Sequence, residues 1–190
     1  MVRTKLINQL KEEINHYIGL PYSKNILKDG KIIEEKFMGG KGSAKEIALH
    51  TVDLANQQKI KLLDLSPQQI YNFQKKNKIG IDCSGLICQL LMFYGNLLGK
   101  KIELSIRKTS ADMLTSTSLS KEIKNYDDIQ TGDLIRQKNG RHALFIIDRQ
   151  DDTINYVDSS FLGRGVKYGQ FNLNDKNFAN QGIYRLLFLS

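Results

Sequence analysis

Cysteine is scarce in this 190-residue chain, and its two copies exclude more than they offer. Cys83 and Cys88 lie five positions apart in what reads as one helix. That spacing neither closes a disulfide comfortably nor matches the paired CxxC ligands of a structural zinc, so a stapled or zinc-built scaffold is excluded and both thiols are expected reduced. Long apolar runs are missing as well. The opening "MVRTKLINQLKEEINHYIGL" holds no block of the kind a secretory signal needs, and no uncharged run is long enough to span a bilayer. The reading is a soluble protein without a membrane span, cytoplasmic by its sequence as given, with export by another route left open. Histidine is scarce too, and only His16, His50 and His142 can serve as an imidazole base. Repeats and low-complexity tracts are absent, and the lysines behind the net charge of +8 are scattered rather than gathered. A solvated basic surface is expected, with no nucleic-acid partner.

What is present suits one domain over residues 1–190, because 41% hydrophobic content in a chain of this length builds a real core. From Thr4 to Ile18 the residues Leu6, Leu10, Ile14 and Tyr17 recur at helical spacing, and Gly19 with Pro21 ends the segment. Residues 23–79 read as a lysine-rich, helical insertion. It carries a hairpin around "KDGKIIEEKF", a glycine-punctuated "GGKG" and two capped helices. Ser43 and Glu46 form a capping box for the first; Ser66 caps the second, with Pro67 at its first helical position. This insertion is expected either to line a cleft as a lid or recognition surface, or to be a passive elaboration.

Beyond Gly80 the period changes. From Ser84 to Leu98 the apolar residues run nearly all the way round, which marks a helix buried on most sides. A short helical piece at "RKTSADML" follows. Five strand-like stretches come next, "GDLIRQ", "RHALFIIDR", "TINYVDSS", "GVKYGQF" and "GIYRLLFLS", punctuated by Gly, Asp and Asn. Helices first and antiparallel-looking strands afterwards predict an α+β domain, a buried helix packed on an antiparallel sheet.

That layout puts Cys83 at the start of the buried helix, where unpaired N–H groups and the helix dipole favour a thiolate and could hold an oxyanion. Ser84 and Gly85 are small enough to leave the thiol approachable. Cys88, one and a half turns deeper, reads as core. Among the histidines, His16 falls opposite the apolar stripe of its helix and reads as solvated, and His50 as structural. His142 opens a strand after the turn "KNGR", at a sheet end that a helix N-terminus could approach. If "HALFIID" and "TINYVDSS" pair through "RQDD", a register setting Ile146 opposite Ile154 and Leu144 opposite Tyr156 sets His142 directly opposite Asp158.

Three motifs in order, "IDCSGL" at 81–86, "QTGDLIR" at 130–136 and "GRHALFIID" at 140–148, resemble the NlpC/P60 family of papain-like cysteine hydrolases, best known as peptidases of bacterial cell-wall stem peptides. The resemblance covers roughly residues 80 to 170. It implies a papain-like fold, Cys83 as nucleophile, His142 as base and, in "YVDSS", Asp158 as the residue that orients the histidine. It implies no metal or organic cofactor, and a peptidoglycan fragment or other amide as substrate. An acyltransferase or lipid-ester and thioester hydrolase could use the same residues, and a binding module without turnover is a further alternative. Family members carry a tyrosine and a glycine pair before the nucleophile. "IGLPY", ending at Tyr22, is similar to the tyrosine end of that segment and "FMGG" at 37–40 to the glycine end. Tyr22 and Ser84 are thus the candidates for substrate or oxyanion contact, with Tyr71 a rival to Tyr22.

Overall fold

The apolar stripe of the opening segment forms helix α1 (Val2–Asn15), and its Leu10 and Ile14, with Tyr17 just beyond, are buried. The computed structural model describes residues 2–189. A small exposed hairpin, β1 (Ile26–Lys28) and β2 (Lys31–Glu34), comes next, followed by helices α2 (Ala44–Gln57) and α3 (Pro67–Lys76). Both helices start at the serines expected. Ser43 exchanges bonds with Glu46, and Ser66 with Gln69, so each forms a full capping box.

Helix α4 (Cys83–Leu97) is apolar on nearly every side and lies between α1 and the sheet. After the single turn α5 (Ala111–Leu114) come β3 (Ser120–Glu122), β4 (Leu134–Gln137), β5 (His142–Gln150), β6 (Thr153–Ser160), β7 (Gly165–Asn172) and β8 (Ile183–Leu186). These six make one antiparallel sheet in the order β3-β8-β4-β5-β6-β7, and the fold is a mixed α+β one. Alternation along β5 sends Ala143, Phe145 and Ile147 into the core beneath α4, and Leu144 and Ile146 into a second cluster on the opposite face. Leu173 and Phe178 pack against that second cluster, Phe178 stacking on Phe171 at 3.8 Å between ring centroids. The run "HALFIID" is continuous rather than alternating because both faces of this strand are covered. Strand β3 carries no apolar run of its own and was not expected from the sequence. Residues 23–79 contribute Ile47 and Ile79 to the main core.

The β5–β6 register differs from the one expected. The turn is tighter: Gln150 pairs with Thr153 across Asp151 and Asp152, and Asp151 takes the left-handed conformation (φ 52°) that such a turn requires. Ile154 therefore faces Arg149 rather than Ile146. An irregularity follows, since Asp148 faces Asn155 but Ile146 faces Tyr156, leaving Ile147 as an extra residue on β5. The bulge matters for the site. Without it, the register set at the turn would place His142 and Asp158 on opposite faces, because side chains alternate with a period of two. With it, Ile146 faces Tyr156 and Phe145 faces Val157, so His142 and Asp158 share a face as diagonal neighbours, not as a directly opposed pair.

Candidate active site

Two chain segments from far upstream hold the start of α4. The Ile81 N–H donates to the Pro21 carbonyl (3.0 Å) and the Ser23 N–H donates to the Ile81 carbonyl (3.2 Å), so "IGLPY" runs beside the residues that lead into Cys83. On the other flank the Asp82 N–H donates to the Gly40 carbonyl at 2.9 Å. Gly40 has φ +79°, and a Cβ there would lie 1.9 Å from the Ser23 carbonyl oxygen, so only glycine fits. From the sheet, the Ser159 hydroxyl donates to the Ile81 carbonyl at 2.7 Å, tying this segment to the strand that carries Asp158. Asp82 caps the helix, its carboxylate accepting from the Gly85 N–H at 2.7 Å. Cys83 is left at the first helical position with 6% of its surface exposed.

His142, the first residue of β5, turns its ring to the same place. Its Nε2 lies 3.2 Å from Asp158 Oδ2, and both residues are 7% exposed. Burial by itself would lower the pKa of this imidazole. The hydrogen bond and charge of Asp158, together with the neighbouring Cys83, outweigh it and raise the pKa to about 9. Cys83 is thus a neighbour of the ring, and with Nε2 facing Asp158 the nitrogen left for the thiol is Nδ1. Asp158 Oδ1 is the single buried side-chain polar atom without a partner among the described residues.

A raised imidazole pKa makes stability depend on pH. Between the ordinary value near 6.5 and about 9, the native state holds a proton that the unfolded chain has released. The resulting stabilisation is complete below pH 6.5 and is lost as pH rises through about 9. Urea denaturation across this window is expected to show the loss, and Asp158→Asn to flatten it by removing the carboxylate charge. Parallel pH profiles for the two proteins would contradict this account of His142.

The residue that sequence reasoning missed is Lys41. It is only 9% exposed, and its ammonium donates to Asp82 Oδ1 (2.9 Å), the Thr109 carbonyl (3.2 Å) and the Ser84 hydroxyl. Its three donors meet three acceptors, the condition for burying such a group. The Ser84 hydroxyl in turn donates to Asp82 Oδ1 at 3.1 Å, so it is committed to this network while lining the cleft. The signal in the sequence was "GGK": two glycines that bring backbone against backbone, followed by the lysine they carry inward.

The other candidates separate cleanly. Tyr22 is half-buried, and its hydroxyl pKa is raised by burial and then by the nearby Cys83 and Asp82. Tyr71 sits on α3, and neither tyrosine lines the cleft at Cys83. His16 is exposed beside Glu13, and His50 stacks on Phe37 with ring centroids 4.1 Å apart. Cys88 is fully buried, and desolvation, partly offset by Lys41, pushes its thiol up to about 12.

A cleft of about 380 Å3 opens against Cys83 and Ser84, walled by Leu27 and Gly39 from one part of the chain and by Ala111, Gly140 and Arg141 from another. A second hollow of about 340 Å3 is lined by His142, Asp158, Tyr156, Leu162 and Lys167. No family model, curated protein or solved structure matches this chain. Among the described residues, no three His, Cys, Asp or Glu side chains converge as a metal site, and no helix is long and apolar enough to cross a membrane.

Proposed function

We propose that this protein is a cysteine hydrolase of the papain-like NlpC/P60 type, cleaving amide bonds in peptidoglycan stem peptides through an acyl-enzyme. The observation that carries the reading is the buried His142, bonded to Asp158 at 3.2 Å, with the Cys83 thiol in reach at a helix N-terminus on a cleft. His142 Nδ1, having already taken the thiol proton, stays paired with Cys83 Sγ until the sulfur bonds to the carbonyl carbon and the C=O electron pair moves onto oxygen. The proton then passes to the departing amine, and water activated by the same imidazole cleaves the thioester to release acid and free thiol. Asp158 holds the tautomer and steadies the imidazolium. The Cys83 N–H and the Tyr22 hydroxyl are the donors for the tetrahedral oxyanion.

Labelled muropeptides, phospholipids and thioesters, with products identified by mass spectrometry, test the substrate. Amide cleavage in the muropeptides is expected; turnover of none of the three would overturn the reading. Acyl transfer or lipid hydrolysis is the second reading, favoured by Leu27 and Leu162, which line the two hollows while 56% and 80% exposed, as an amphiphile would require. Independently of substrate, iodoacetamide is expected to label Cys83 in the native protein while the fully buried Cys88 waits for unfolding. Equal labelling, or labelling of Cys88 first, would remove Cys83 as nucleophile.

A further inference from the structure

The ribbon β1–β2 presents apolar side chains to solvent on both faces. Leu27 and Ile32 pair across it and share one face, while Ile26, one residue earlier, points to the other. With Ile33 they are between 44% and 62% exposed, although a two-stranded ribbon without a packed face is marginal in water. The ribbon is anchored at its base, where the Lys36 N–H donates to Asn25 Oδ1 at 2.7 Å. A second apolar tip, Phe161 and Leu162 in the turn between β6 and β7, is 75% and 80% exposed. This turn is built rather than loose, since the Gly163 N–H donates to the Ser160 hydroxyl (2.9 Å) and the Arg164 N–H to the Phe161 carbonyl (3.2 Å). Phe161 makes an edge contact with Tyr22, just before the ribbon, at 6.4 Å between ring centroids. The two tips therefore flank one stretch of surface, Leu27 lining the opening at Cys83 and Leu162 the one at His142.

The charge around both tips is mostly of one sign. Lys24, Lys28 and Lys31 are exposed on the ribbon, Arg164 and Lys167 beside the turn, and none of the five forms an ion pair among the described residues. Residues 161–168 hold no acid. On the ribbon Glu34 is answered by Lys36, which leaves Asp29 and Glu35. The distribution of the apolar side chains then selects the partner. A protein groove or an added strand covers one face or one edge of a ribbon, whereas a bilayer surface surrounds it and buries side chains on both faces. A second copy brought face to face would set cation against cation. Anionic headgroups answer those cations, whose long stems let the charged ends reach the phosphates.

We propose that the ribbon and the 161–164 turn dock this protein on an anionic lipid bilayer, with the openings at Cys83 and His142 against the headgroup layer. The docking is shallow, because the outer edges of a two-stranded ribbon carry unpaired N–H and C=O groups that cannot enter hydrocarbon. It goes beyond the hydrolase reading and does not depend on which bond is cleaved.

Cosedimentation of the full chain with phosphatidylcholine vesicles, prepared with and without phosphatidylglycerol, tests the docking. Binding is expected only where the anionic lipid is present, and is expected to weaken as salt is raised. Lys28→Gln/Lys31→Gln should weaken it about five- to twentyfold, each cation near such a surface being worth about a factor of five. Non-specific adsorption of a basic protein would behave alike to this point, so the apolar tips decide. Ile33→Ser/Leu162→Ser keeps every charge and is expected to weaken binding about tenfold or more, with a urea midpoint near wild type because both side chains are exposed. Unchanged binding by this variant would overturn the docking face, as would binding to neither vesicle. Retention on purified wall polymer without vesicle binding, or a dimer of the free protein that the same variant dissolves, would overturn it in favour of that other partner. Binding is read without turnover, so each of these failures leaves the hydrolase reading standing.

Discussion

Turnover by the His142→Ala protein is expected to fall about a hundredfold to ten-thousandfold, the usual scale for a lost general acid and base, and Cys83→Ala is expected to leave only background. The ring serves twice, taking the thiol proton and returning one to the departing amine, so its loss slows both halves of the reaction. Asp158→Asn should be milder than Asp158→Ala, because an amide oxygen can still accept from Nε2 although it cannot stabilise the imidazolium as a carboxylate does. His16→Ala is the control, its side chain 67% exposed and its partner Glu13 on the same helix. His50→Ala loses a ring stack on Phe37 and should affect stability rather than rate. A crippled His50→Ala protein with active His142→Ala would overturn the assignment of the base.

The second large effect is expected in stability. Lys41→Met keeps the aliphatic stem but withdraws the ammonium from Asp82, whose side chain is 3% exposed. Removing one partner of a buried pair leaves an uncompensated charge and costs about 3–5 kcal/mol, which for a chain of this size lowers Tm by roughly 10 °C. Asp82 keeps its bonds from the Gly85 N–H and the Ser84 hydroxyl, which do not neutralise it. Lys41→Met/Asp82→Asn should recover much of the loss, because asparagine caps the helix without carrying the charge. Urea midpoints for the two variants decide the point. A Lys41→Met protein within about 1 kcal/mol of wild type would mean that water reaches Asp82 and the pair is not isolated from solvent.

What could be read from the sequence alone was local. The N-caps Ser43 and Ser66, the all-round apolar run of α4 and the continuous apolar run of β5 each act over one or two turns, so composition and spacing carry them. The α+β class followed from their order, as did the placement of Cys83 at a helix start and of His142 at a strand start. Tertiary structure decided what depends on residues far apart in the chain. The 41-residue separation between Lys41 and Asp82 hides a buried ion pair from any spacing rule. Whether Tyr22 or Tyr71 approached Cys83 depended on how residues 23–79 returned to the core. The diagonal meeting of His142 and Asp158 depended on a bulge at Ile147, which no alternation pattern announces because β5 is apolar on both faces. A periodic signal reports burial of one face against any neighbour; only packing selects the neighbour, and with it the few contacts through which a thiol, an imidazole and a carboxylate can act together.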